Sequence, residues 1–120
     1  MLASAKGIRP FLGAKDFDVS RAFYRELGFR EVVIAPEMSV FHLDGTSFYL
    51  QRYYAKDWVD NTMVFLEVED LDGQLRAIID SGVVDRYDAR VSEISDNDWG
   101  REFFLHDPSG ILWHIGTFAP

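Results

Sequence analysis

Cysteine is absent from this chain, and with it every disulfide, every thiolate metal site and every cysteine nucleophile. Long apolar runs are absent too. Stretches such as Val32-Val33-Ile34-Ala35 are far too short to span a bilayer. Met1 to Pro10 carries no apolar segment of the kind that opens a signal peptide. The expectation is a cytoplasmic protein with no membrane partner. Positive charge is scarce: 12 Lys and Arg stand against 20 Asp and Glu, for a formal net charge of −8. Such a surface repels phosphate backbones, which argues against nucleic acid as a partner, and it attracts cations. There is no Gly-x-Ser-x-Gly and no Gly-rich loop that could cradle a phosphate.

What is present is an apolar fraction of 48% in 120 residues, enough for one packed domain over residues 1–120. The chain also repeats itself. Phe11-Leu12-Gly13-Ala14-Lys15-Asp16-Phe17-Asp18 and Phe65-Leu66-Glu67-Val68-Glu69-Asp70-Leu71-Asp72 share Phe, Leu, Asp and Asp at a spacing of 54 residues. Each copy reads as a strand running into a helix. Val19, Ala22, Phe23 and Leu27 share one helical face in the first, and Leu71, Leu75, Ile78 and Ile79 in the second. Asp18 and Asp70 are candidate N-caps, and Gly28 and Gly82 close the helices.

Short strands follow: Glu31–Ala35, Ser39–Leu43 and Ser47–Tyr53, then Arg90–Ile94, Glu102–Leu105 and Ile111–Phe118. Asp44-Gly45 predicts a hairpin, and Asp107-Pro108-Ser109-Gly110 a turn. The fold class is therefore α+β, with two strand–helix–strand–strand–strand modules over about 8–54 and 62–118, joined by a segment around Trp58.

This order of elements, with its motifs, resembles the glyoxalase/bleomycin-resistance/dioxygenase (vicinal oxygen chelate) superfamily, and within it most closely the bleomycin-resistance proteins. Four stretches carry the resemblance: Pro10 with Leu12 and Asp16; Ala22-Phe23-Tyr24 through Leu27-Gly28-Phe29; Asp60-Asn61-Thr62; and Ser92-Glu93-Ile94 with Trp99-Gly100-Arg101-Glu102-Phe103, Asp107-Pro108-Ser109-Gly110 and His114. The Trp-Gly-Arg-Glu-Phe block with the downstream Asp-Pro-x-Gly is the most specific of these. The resemblance implies paired βαβββ modules whose mixed sheet cups a pocket. It also implies a homodimer with an exchanged N-terminal strand hinged at Pro10.

Metalloenzymes of the superfamily take His, Gln and Glu ligands from four equivalent strands. The matching positions here are Arg9, Met63, His114 and either Tyr49 or Gln51. A guanidinium has no lone pair to give. A thioether suits soft metals rather than Zn, Mn or Fe(II). A hard divalent ion needs three or four N or O donors, so no metal or other cofactor is expected. An unassigned lyase or dioxygenase of the superfamily stands as the alternative. A sensor module that has lost both sites is a third reading.

Aromatic residues make up 15% of the chain. Phe48, Tyr49, Tyr53, Tyr54, Trp58, Phe65, Trp99 and Trp113 fall near the implied cup. Flat ligands are held by such rings without covalent chemistry. Trp99, in the polar stretch Ser95-Asp96-Asn97-Asp98-Trp99-Gly100, has little core to enter and is expected to face a ligand or an interface. The resemblance implies that this Trp stacks on a flat drug. It also implies a non-catalytic protein that sequesters a flat, cationic small molecule of the bleomycin type in an acidic aromatic groove. The expected groove residues are Trp99, Phe65, Met38, Gln51 and Tyr49, with His114 and with Asn61 and Glu102 as polar contacts.

Overall fold

In the computed structural model, which describes residues 1–120, the first half of the chain forms β1 (Phe11–Gly13), α1 (Phe17–Glu26), β2 (Arg30–Ala35), β3 (Met38–Leu43) and β4 (Thr46–Gln51). A short helix, α2 (Lys56–Asp60), leads into the second half. There follow β5 (Met63–Glu67), α3 (Leu71–Ser81), α4 (Val83–Arg86), β6 (Arg90–Val91), β7 (Ser95–Asn97), β8 (Gly100–His106) and β9 (Leu112–Phe118). The first sheet has the order β1-β4-β3-β2 and the second β5-β9-β8-β6, with β7 also paired to β8. In each sheet the first strand of its half runs parallel to the last, and the other pairs are antiparallel. The sequence repeat is thus a repeat of topology.

Each sheet buries one face. Leu12, Phe41, Phe48 and Leu50 of the first and Phe103, Leu105, Trp113 and Ile115 of the second enter a single core of 18 buried residues. Rings join the two contributions: Trp113 lies 5.4 Å from Phe48, 5.7 Å from Tyr24 and 5.8 Å from Phe29, centroid to centroid. Helix α1 closes over its sheet with Phe17, Ser20, Phe23 and Tyr24. This stripe is offset from the one expected, and Val19, Ala22 and Leu27 are only half-buried at its flanks. A small polar residue, Ser20, occupies the seam because its hydroxyl meets that of Ser109 at 3.3 Å.

The cap of α1 is Asp16, which accepts from the Val19 N–H at 3.1 Å; Asp18 sits in the first turn instead. Asp70 caps α3 as expected, and Gly82 ends it at φ +75°. Ile79 leaves the expected apolar face and is 54% exposed. The strand expected over Arg90–Ile94 ends at Val91. Ser92 ends it, because its hydroxyl takes the Phe104 N–H at 2.9 Å while its own N–H reaches the Phe104 carbonyl. The chain then re-forms as β7. The polar loop expected over residues 95–100 is therefore a two-residue hairpin, with Asn97 paired to Gly100. The linker around Trp58 is helical, and its ring covers the bare Cα of Gly13, where a Cβ would lie 2.5 Å from Trp58 Cζ3.

A buried polar network locks the halves together. The Tyr24 hydroxyl donates to Asp107 Oδ2 at 2.5 Å and accepts from Trp113 Nε1 at 2.9 Å. Asp107 Oδ1 accepts the N–H groups of Ser109, Gly110 and Ile111, each at 2.9 Å. Burial, only partly offset by these donors, holds the Asp107 carboxyl above its ordinary value and pushes the Tyr24 phenol well above its own.

Candidate functional site

Because side chains alternate along a strand, the face of each sheet opposite the core is also defined. On the second sheet β5 alternates cleanly: Val64 and Leu66 point inward, and Met63, Phe65 and Glu67 point outward. Register places Phe65 beside His114, and Glu67 and Glu102 on either side of Gly116. The Phe65 ring lies over Gly116, where a Cβ would stand 2.8 Å from Phe65 Cζ, so the glycine makes room for the ring.

Trp99 rises at the tip of the β7–β8 hairpin. Its ring centroid is 5.8 Å from Phe65 and 5.6 Å from Phe118, and Phe65 and Phe118 stack at 5.6 Å and 30°. These three rings form an open wall, 38% to 55% exposed. The hairpin is fixed at its base by Arg101, which grips Asp72 of α3 through two N–H donors at 2.9 and 3.2 Å and Asp96 through Nε at 3.1 Å. The Trp99 carbonyl accepts the Ala119 N–H at 2.8 Å. Beside the wall, His114 Nδ1 meets Glu102 Oε1 at 2.8 Å, and His114 Nε2 stands 3.4 Å from Met63 Sδ. Phe104 meets the same imidazole edge-on at 5.0 Å.

On the first sheet the corresponding face carries Met38, Val40, Ser47, Tyr49 and Gln51. Tyr49 stacks on Phe11 at 4.7 Å and 20°, and Met38 pairs with Gln51 in register. Phe11 against Tyr49 is the repeat-equivalent of Phe65 against His114, each pair joining a first strand to the last strand of its half.

The structure thus gathers Trp99, Phe65, Glu102 and His114 on one surface and Met38, Tyr49 and Gln51 on another. No hydrogen bond, ion pair or ring contact links the two groups within the chain. Asn61 belongs to neither: its amide nitrogen is spent on the Asp57 carbonyl at 2.6 Å, ending α2. Trp113 and Phe48, grouped with the cup by sequence, are core residues at 6% and 3% exposure. Phe118 and Phe104 were not foreseen as part of this surface, whereas Met63 joins His114 as its matching metal-ligand position implied. The alternation of β9 outward from His114 is the signal that points to Phe118. A cleft of about 300 Å³, lined by Pro10, Ser47, Val64, Phe65 and Glu67 among others, runs between β4 and β5.

The four positions that would hold a hard metal in the superfamily do not fit one. The Arg9 guanidinium is bonded through Nε to Ser47 Oγ at 2.7 Å and offers no lone pair. Tyr49 and Gln51 lie on the other sheet from Met63 and His114. One nitrogen and one thioether remain together, short of the donor set that such an ion needs.

No protein-family model matches the sequence, and no curated protein does. Solved structures match over nearly the whole chain. A bleomycin-binding protein from bleomycin-producing Streptomyces verticillus, solved with copper(II)-bleomycin, superposes at a TM-score of 0.81 with 22% identity, covering 99% of this chain and 100% of that one. The fold is the glyoxalase/bleomycin-resistance fold. A glyoxalase/bleomycin resistance protein from Catenulispora acidiphila shares it at a TM-score of 0.76, with 21% identity over 96% of this chain and all of the other. A lactoylglutathione lyase from Agrobacterium tumefaciens shares it at 0.67, with 16% identity over 95% of each chain. The glyoxalase/bleomycin-resistance fold therefore spans binding proteins and a lyase, and the site residues must decide between them.

Proposed function

We propose that the protein sequesters a flat, cationic small molecule of the bleomycin type, without transforming it, in a groove closed by a second copy of the chain. The observation that carries this is the wall of Phe65, Trp99 and Phe118 left open beside Glu67 and Glu102. Rings offer a stacking surface to a flat ligand, and carboxylates draw a cation. No nucleophile–base pair accompanies them, so affinity alone is the product of the surface. A lyase or dioxygenase on this fold would need a hard-metal donor set that Arg9 and Met63 do not supply.

The second copy is part of the proposal. Within one chain the two half-sites border only the cleft between β4 and β5, and a two-fold pairing would set the Met38–Tyr49–Gln51 face of one against the Phe65–Trp99 face of the other, twice. Residues 1–10 support this, since all are exposed and Leu2 and Ile8 are 100% and 93% so. The chain exposes 7685 Å², whereas a monomer of its mass is expected to expose about 6,600 Å². An N-terminal strand hinged at Pro10 and exchanged between copies would cover much of the excess.

The test is a tryptophan-fluorescence titration with metal-free and copper-loaded bleomycin, at low and physiological salt, on wild type and Trp99→Ala. Saturable quenching that persists at physiological salt and vanishes in the variant is expected. Quenching that salt abolishes, or that Trp99→Ala retains, would reject bleomycin-type stacking at this wall.

A further inference from the structure

The core is not closed where the two halves meet beside α3. Leu27, Leu43, Leu66, Val68 and Ile78 pack against it there yet stay only partly buried. They line a narrow apolar throat of about 50 Å³, floored by Trp113 and Ile115. The throat opens into a wider cleft of about 560 Å³, between the β3–β4 hairpin and the segment that joins β5 to α3. Leu27, Leu43, Leu66, Val68 and Gln74 belong to both, so the two form one continuous space. Its apolar walls are core-facing side chains, and Glu67 is all that it shares with the surroundings of the Phe65–Trp99–Phe118 wall.

The mouth carries charge of one sign. Asp44, Glu67, Glu69 and Asp70 line it, with no Lys or Arg among them. Asp70 is engaged, because it accepts the Gly73 N–H at 3.1 Å. Asp44, Glu67 and Glu69 are not: every ion pair of the chain uses other carboxylates. Like charges gathered without a cation repel one another, and a bound cation relieves that repulsion. Gln74 of α3 is the one polar residue of the throat. Its side-chain amide oxygen can accept from an ammonium N–H.

We propose that this cleft binds a primary ammonium ion carrying a short aliphatic chain, with the cation at Asp44, Glu67 and Glu69 and the chain in the apolar throat. A pocket of this kind takes its affinity from apolar walls and its orientation from a few polar groups. One water-sized group needs about 10–15 Å³ of such space, so the throat takes roughly four carbons in a row. A flat heterocycle sets too many atoms side by side to enter it. A diamine would have to strip water from a second charge or leave its chain outside. The ligand class thus differs from the one proposed for the ring wall, and the inference does not rest on that reading.

The full chain, labelled with ¹³C in the methyls of Leu, Val, Ile and Met, is titrated with n-alkylammonium chlorides from ethyl to octyl. n-Hexylammonium should shift the methyls of Leu27, Leu43, Val68 and Ile78 saturably, with cross-relaxation from its terminal methyl to theirs. Affinity should rise about threefold per methylene until the throat is full and level off beyond that length. Hexanoate, of the same length and opposite charge, should not bind. The α,ω-diamine of that length should bind about tenfold more weakly or worse. Asp44→Asn with Glu69→Gln removes two exposed charges, leaves the core untouched, and should weaken n-hexylammonium roughly three- to tenfold. Circular dichroism checks that this variant is folded. Hexanoate binding as tightly as n-hexylammonium, an affinity indifferent to chain length, an unchanged affinity in the charge variant, or shifts confined to Met63 beside Phe65 would each overturn the proposal.

Discussion

The Tyr24 hydroxyl donates to Asp107 and accepts from the Trp113 indole, so one oxygen joins α1 of the first half to two elements of the second. Tyr24→Phe keeps the ring in its cluster and removes only that oxygen. The indole N–H and one carboxylate oxygen then lose a partner inside the core. Such losses cost on the order of 2 kcal/mol, which should lower Tm by roughly 5–10 °C. A melt within about 1 °C of wild type would show that the hydroxyl does not bridge the halves.

At this scale the sequence is informative where a residue is out of place. Trp99 among polar neighbours announces an exposed ring, and the structure exposes it. Phe118 and Phe104 carry no such mark. Each is an ordinary apolar residue in a strand, and only the register of β5, β8 and β9 turns it outward. Trp113 misleads for the same reason, since one step along β9 from His114 reverses its face.

Elements show why the Trp99 hairpin holds its shape. Gly100 adopts φ +154°, and a Cβ there would lie 2.1 Å from the Thr117 carbonyl oxygen. Gly100→Ala must therefore push β8 away from β9 and tilt the hairpin. We expect a destabilised protein in a urea melt and, in the fraction that folds, a red-shifted Trp99 emission as the ring leaves Phe65 and Phe118. An unchanged emission maximum would show that the hairpin is not positioned by the close approach of β8 and β9.

Helix α1 is tied to the edge strand β2 through Glu31, which accepts from Arg21 at 2.6 Å, Arg25 at 2.7 Å and Ser39 at 2.6 Å. Burial opposes ionisation, but these donors outweigh it and hold the Glu31 carboxyl at about 2, below its usual 4.5. A depressed carboxylate stabilises the fold fully above the unfolded value, and that contribution fades as pH falls from about 4.5 toward 2. With Arg25 half-exposed, the contribution is on the order of 2 kcal/mol at neutral pH. The stability difference between wild type and Glu31→Gln should have that size at pH 7 and shrink across this window in urea melts. A difference independent of pH would mean that Glu31 is not held by its charge.

The halves of the chain are legible as elements because each opens with a strand and a capped helix and returns through short strands, three in the first half and four in the second. Cap and stop signals at Asp70, Gly28 and Gly82 are local. The short β6 and the hairpin at β7 are not, because Ser92 is drawn off by a partner 12 residues away.

At the scale of the whole molecule, the two outward faces explain why the groove residues expected from sequence do not assemble on one surface of one chain. Sequence likeness groups Met38, Tyr49 and Gln51 with Phe65 and Trp99, while the fold divides them between sheets whose common side is the core. In the proposed dimer a second copy would resolve the division, and assembly and binding would then be a single property. The full chain should sediment at about twice 13.8 kDa at micromolar concentration. Deleting residues 1–9 removes the exposed arm and no core residue. That variant should keep its circular dichroism, shift toward the monomer on dilution, and lose bleomycin quenching in parallel with the dimer. If instead the truncated chain is monomeric and still binds with unchanged affinity, the groove lies within one chain and the Phe65–Trp99–Phe118 wall suffices. If it remains fully dimeric, the arm is not the exchanged element and the pairing must rest on the open faces of the sheets themselves, where Phe11 and Tyr49 of one copy would meet Phe65 and His114 of the other.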